Sequence, residues 1–141
     1  MTRLFIVMNW YLKVLKQYAD FSGRARRKEY WMFKLFDGII AVALIWVMGV
    51  GFVLGVVLKC DLLSFLPILL YYVYLLALII PNIAVLVRRL HDIGNSGWTF
   101  FIVLVPLAGI IVLFVWLCTD SQAGKNKWGL NPKGRNFLVL T

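Results

Sequence analysis

Four residues in one short stretch have the types that do chemistry. VRRLHDIGNSGW (87–98) holds Arg88, Arg89, His91 and Asp92 between two strongly apolar runs, and His91 is the only histidine of the chain. A histidine and a carboxylate are the parts of a general acid–base pair. Two arginines are the parts of a phosphate clamp. The acid–base reading meets a geometric obstacle. His91 and Asp92 are neighbours, so on a helix they diverge by about 100° and do not face each other. No serine or cysteine sits in a nucleophile motif such as G-x-S-x-G. A lone histidine without a Cys/His cluster gives no metal site. The sequence therefore implies no catalytic residue, no metal and no cofactor, and the chain is not expected to be an enzyme.

The phosphate reading draws on a second charged stretch. DFSGRARRKEYWMF (20–33) carries Arg24, Arg26, Arg27, Lys28 and Glu29. Asp92, close to a membrane of anionic headgroups, needs a cation, and Arg24, Arg26 or Arg27 are the candidates. Glu29 answers Arg88 or Arg89 in the same way. The expectation is an interlocked cluster of Arg24, Arg26, Arg27, Lys28, Glu29, Arg88, Arg89, His91 and Asp92. It would clamp two helices and leave surplus positive charge for a lipid phosphate or another anion.

The elements that position these residues follow from composition. Of 141 residues 62% are hydrophobic, and the mean hydropathy is +0.87, against about 45–50% apolar in soluble domains. This is one small membrane domain (1–141). Its formal net charge of +9 fits an anionic membrane surface, worth about 1 kcal/mol per nearby Lys or Arg. Nucleic acid is excluded as a partner, because most of the chain would sit in lipid. Residues 1–34 read as a basic amphipathic interfacial region. In it Leu4, Val7, Tyr11, Val14, Leu15 and Tyr18 recur at helical spacing. No cleavable signal peptide is expected, since the apolar run 4–8 is short and Asn9, Trp10 and Tyr11 follow it. Ser22 predicts an N-cap for a helix starting near Gly23, with four cations crowding its first turns. Tyr30, Trp31 and Phe33 follow at the aromatic-belt position.

Membrane segments are expected at 35–58, 62–87 and 98–118, with a polar tail at 119–141. In the first, Gly51 and Gly55 form a small-xxx-small pair that lets helices approach. In the second, Pro67 and Pro81 interrupt, and Tyr71, Tyr74 and Asn82 lie on a polar-leaning stripe. That stripe suits helix–helix hydrogen bonding or, as an alternative, a transport path. Gly94 suits a helix C-terminus and Ser96 a cap on the next helix. The third segment, with Pro106 and Gly109 at its centre, either crosses once with a kink or folds back as a re-entrant hairpin. A crossing is the preferred expectation. It would place Cys60 and Cys118 on the same oxidising face, and the two thiols are expected to be unpaired. The fold class is thus an all-α integral membrane protein: an interfacial N-terminal helix plus three hydrophobic membrane helices, the third with a re-entrant alternative. The concentration of Lys and Arg before residue 35 puts the N-terminus in the cytoplasm.

Four motifs occur in order at membrane-compatible spacing: DFSGRARRKEYWMF (20–33), RRLHDIGNSGW (88–98), VPLAG (105–109) and GKNKWGLNP (124–132). With them the chain resembles the bacterial family called domain of unknown function 805 (DUF 805), the YhaH-like small inner-membrane proteins. MNWYLKVLKQY (8–18) is similar to the family's usual opening, which makes Met8 a second candidate initiator beside Met1. Trp128 stands where the family more often has phenylalanine. The resemblance implies a multi-pass protein of the bacterial inner membrane and no particular activity. The function read from the residues is a non-enzymatic protein that binds anionic lipid and assembles with itself or a membrane partner. The alternatives are a small transporter or channel using Tyr71, Tyr74 and Asn82, and an enzyme acting on a headgroup with His91 and Asp92.

Overall fold

The computed structural model describes the backbone of residues 2–134 and the side chains of residues 8–134. Expectations for Leu4 and Val7, and for the tail beyond residue 134, fall outside the described residues. Among those described, the chain is helical: α1 (Thr2–Lys16), α2 (Arg27–Leu58), α3 (Asp61–Asp92), a 3-10 helix (Gly97–Leu104) and α4 (Ala108–Cys118). The chain divides into two compact units, Lys34–Ile80 and the combination of Met1–Phe33 with Pro81–Thr141.

The Lys34–Ile80 unit is a hairpin of two apolar helices. Lys59 turns the chain at φ 52, and the Cys60 amide donates to Gly55 O at 2.8 Å. The glycine pair lets the helices close. A Cβ on Gly51 would lie 2.6 Å from Pro67 Cγ, and one on Gly55 would overlap the Ser64 hydroxyl. Gly49, two residues from Gly51, meets nothing within 4 Å. The Tyr74 hydroxyl donates to Asp37 Oδ1 at 2.7 Å, so Asp37 has a protein partner where it interrupts the apolar run. The outer faces are bare hydrocarbon, with Trp46 71% and Leu76 66% exposed. The apolar windows of α2 and α3 have mean hydropathies of 2.7 and 2.4. A helix of 32 residues is about 48 Å long, more than the roughly 30 Å of a hydrocarbon core. Surfaces this apolar call for lipid or a partner helix rather than water, and the length and hydropathy of both helices suit a membrane. α3 runs unbroken through Pro67 and Pro81.

The other unit has its own small core of Val14, Ala25, Tyr30, Phe33, Val85, Leu90, Leu113 and Leu117. Val14 is fully buried, and Tyr11 stacks on Phe33 at 5.3 Å. α1 therefore docks on protein as well as carrying the exposed Met8 and Leu12. The helix expected near Gly23 starts later, at Arg27. Gly23 adopts φ 77, and the Ala25 amide donates to Arg88 O at 2.9 Å, so residues 20–26, which bend at Ser22 and Gly23, are held out of a helix against the end of α3. Ser22 does not cap. Its hydroxyl donates to Asp20 Oδ1 at 2.5 Å.

The segment 98–118 is two short helices rather than one. The 3-10 helix ends at Leu104 and α4 begins at Ala108, and the two pack on each other. Between them the Ala108 amide donates to Pro106 O at 2.6 Å. Leu107, at φ 60 and ψ −60, centres that three-residue turn. A Cβ on Gly109 would overlap the Ile102 carbonyl, so glycine is required where the arms touch. Ser96 precedes the 3-10 helix, but its side chain makes no capping bond. Gly94 ends α3 at φ 92, with the Asn95 amide returning to Leu90 O at 3.0 Å.

Candidate functional site

Asp92 is fully buried at the last turn of α3 and is held from three sides. Arg24 Nε donates to Oδ1 at 3.1 Å, Arg89 Nη1 to Oδ2 at 2.6 Å, and the Ser121 hydroxyl to Oδ2 at 2.5 Å. Both guanidiniums then reach the backbone beyond. Arg24 donates to the carbonyls of Asp92, Gln122, Gly124 and Gly129, the shortest of these at 2.5 Å. Arg89 donates to Leu117 O at 3.3 Å and to Thr119 O. Arg27 reaches Cys118 O at 3.1 Å and the Trp31 indole reaches Leu117 O at 3.3 Å. The last carbonyls of α4, which have no partners within the helix, are thereby satisfied by two cations and an indole. Cations also suit the negative end of the helix dipole.

A second ion pair lies beside the first. Glu29, fully buried in the first turn of α2, receives the Lys13 ammonium and lies 3.5 Å from Arg88 Nη1. Arg88 also donates to Gln17 Oε1. Its Nε and Nη2, and Glu29 Oε1, are buried without a hydrogen-bond partner. Arg26 lies over the Trp10 ring, 4.0 Å from its centroid. The His91 ring stacks on Trp128 at 4.4 Å and 12°, with Nδ1 3.3 Å from Gly23 O. Nearby, the Ser22 hydroxyl holds the Asp20 carboxyl below its usual range. The Lys133 ammonium does the same for Asp120.

Of the residues singled out in the sequence, the structure brings Arg24, Arg89 and Asp92 together, and separately Glu29 with Arg88. Arg27 and Lys28 stay exposed and Arg26 half-buried. With Lys133 these three line a concavity of about 350 Å³ whose walls are all cationic side chains. His91 stacks on an aromatic ring and does not face Asp92. In the Lys34–Ile80 unit, Tyr71 packs on Tyr72 at 6.0 Å and Tyr74 bonds Asp37; Asn82 belongs to the other unit. Cys60 and Cys118 are free thiols. Lys13, Gln17, Trp10 and Trp128 were not legible as site residues. Trp10, Lys13 and Gln17 come from α1 and the residue that follows it, where nothing local marks them, and Trp128, although inside the GKNKWGLNP motif, carries no charge or ligand type that points to a site.

The model of the family described as "Protein of unknown function (DUF805)" matches residues 18–130. Inner membrane protein YhaI of Escherichia coli (strain K12) is 46% identical over 126 residues, covering 89% of this chain and 97% of its own. Inner membrane protein YhaH of the same organism is 40% identical over 130 residues, covering 89% and 98%. No solved structure matches. The ordered motifs, the two long apolar helices and these matches lead to one conclusion: this chain belongs to the DUF805 family.

Proposed function

We propose that this chain is a small multi-pass protein of the bacterial inner membrane, without catalytic activity, that binds anionic lipid headgroups at its basic end and assembles with itself or a membrane partner. The observation that carries this is the concavity of Arg26, Arg27, Lys28 and Lys133. The buried Asp92 carboxylate absorbs Arg24 and Arg89, yet Arg27 and Lys28 remain exposed. Such surplus charge suits anionic headgroups, and the inner-membrane names of YhaI and YhaH agree with it. An acid–base role is disfavoured because Asp92 faces two guanidiniums and His91 a tryptophan ring.

The same reading includes a topology. The tail bonds Arg24 through Gln122, Gly124 and Gly129, so tail and N-terminal segment belong on one side. α2 and α3 then cross, and the two arms of 98–118 enter and return. Both ends lie in the cytoplasm, and Lys59 becomes the one Lys or Arg left outside, in line with the positive-inside rule.

Native mass spectrometry of the gently purified protein tests the lipid and assembly halves together. Anionic lipid is expected to be retained over zwitterionic lipid. The Arg27→Gln/Lys28→Gln variant should bind it less, by roughly 5-fold per cation removed. Equal retention by that variant, or a bare monomer, would overturn the reading.

A further inference from the structure

Beside the surface concavity, sharing Arg26 with it, lies a polar cavity of about 360 Å³, whose lining includes Trp10, Lys13, Asp20, Glu29, Arg88 and Trp128. Arg88 is 2% exposed, and the two nitrogens without partners, Nε and Nη2, form one side of its guanidinium. Two parallel N–H groups on that side match two oxygens of a single phosphate. A buried charged donor left unpaired is costly, so this edge calls for a ligand. Glu29 is also in the lining; its buried Oε1 is ion-paired with Arg88 Nη1 at 3.5 Å but accepts no hydrogen bond. Plain phosphate answers the first group and leaves the second unanswered. A phosphate ester carrying a hydroxyl answers both.

Charge decides the rest. With Arg24 held by Asp92, Lys13, Arg26 and Arg88 still outnumber Asp20 and Glu29 in the lining by one, a positive balance that favours a net anion over a zwitterion. Trp128 also lines an apolar cleft of about 570 Å³ with Phe21, Leu86, Val87, Trp98 and Phe101, so a molecule with both a polar head and an acyl chain finds both surfaces at one tryptophan. We propose that this cavity binds the phosphoglycerol headgroup of a lipid, its phosphate on the Nε/Nη2 edge of Arg88 and a glycerol hydroxyl donating to Glu29. The proposal rests on the lipid-binding reading above and gives it a specificity.

The test titrates the full chain in detergent with short-chain phosphatidylglycerol, phosphatidylethanolamine, glycerol 3-phosphate and inorganic phosphate, read by native mass spectrometry. Phosphatidylglycerol should bind about tenfold tighter than phosphatidylethanolamine or either soluble anion. Arg88→Lys keeps the charge but lacks the two-donor edge, and should lose about tenfold or more of that affinity. Gln17→Glu supplies a carboxylate to Arg88 from the half-exposed rim and should have the same effect, which covers the case in which Arg88→Lys does not fold. Arg27→Gln/Lys28→Gln should hold less lipid in total yet keep the preference. If that surface variant retains all its lipid while Arg88→Lys loses the preference, the surface reading fails and the cavity stands. Equal binding of the two lipids, an unchanged preference in a folded Arg88→Lys or Gln17→Glu, or glycerol 3-phosphate binding as tightly as the lipid would overturn the proposal.

Discussion

At the scale of single residues, Asp92 carries the largest share of the charge arithmetic. It answers two buried guanidiniums at once. Removing one partner of a buried pair typically costs about 3–5 kcal/mol, because the remaining charge is left uncompensated in a medium of low dielectric. Asp92→Asn strands two such charges, so it should be more damaging than Arg24→Gln, which strands none outright because Arg89 still holds Asp92. Thermal unfolding in detergent, followed by circular dichroism, checks this order. The two changes combined should cost less than their sum, since the second removes a charge that the first had stranded. An additive result would mean that Arg24 is held by its four carbonyl acceptors alone. Chemical need made Asp92 and Glu29 legible as ion-pair members in the sequence: carboxylates in a greasy basic chain require cations. Which cation each one takes was not legible, because Arg24, Arg26 and Arg27 differ only in where the backbone of 20–26 points them.

Elements were legible where one physical cause dominated. The long apolar runs gave α2 and α3, and the small-xxx-small pair gave their contact within the hairpin. Local signals misled where tertiary bonds outweighed them. Ser22 and Ser96 are good cap residues by type. At Ser22 the backbone instead pairs Ala25 with Arg88 and delays α2 to Arg27. The division of 98–118 into two arms turns on Gly109 and Leu107, and in sequence Pro106 and Gly109 suit a kinked crossing equally well. Glycines on one helix offer a matched test. Gly55→Ala drives a methyl group into Ser64 and should destabilise the protein by about 1–3 kcal/mol through overpacking. Gly49→Ala meets open space and should be neutral or stabilising by up to about 1 kcal/mol, since alanine is the better helix former. Titration of the full chain with a denaturing detergent, read by helicity, separates the two. Equal effects would place the helix contact somewhere other than Gly55.

Across the whole molecule, the proposed topology follows from bonds rather than from charge counts. Arg24 precedes the first long helix, and three of its acceptors are carbonyls of the tail. An odd number of crossings would put donor and acceptors on opposite sides of about 30 Å of hydrocarbon, where no such bond can form. Two crossings with a returning pair of arms keep them together. They also relieve the conflict of a tail bearing Lys125, Lys127 and Lys133 on the outer side, which positive-inside reasoning resists. Neither the 3-10 helix of 8 residues nor α4 of 11 reaches across alone, since each is about 16 Å long. In the proposed topology native Cys60, in the turn of the long hairpin, lies on the outer side and can report it. With Cys118→Ser in place, a membrane-impermeant maleimide added to intact cells with a permeabilised outer membrane should label Cys60. In a Cys60→Ser/Cys118→Ser background, Ala123→Cys in the exposed tail should stay unlabelled until the inner membrane is broken. Labelling of position 123 in intact cells would restore three crossings. It would also mean that the Arg24 bonds to the tail, and the buried cluster built on them, do not exist in the membrane.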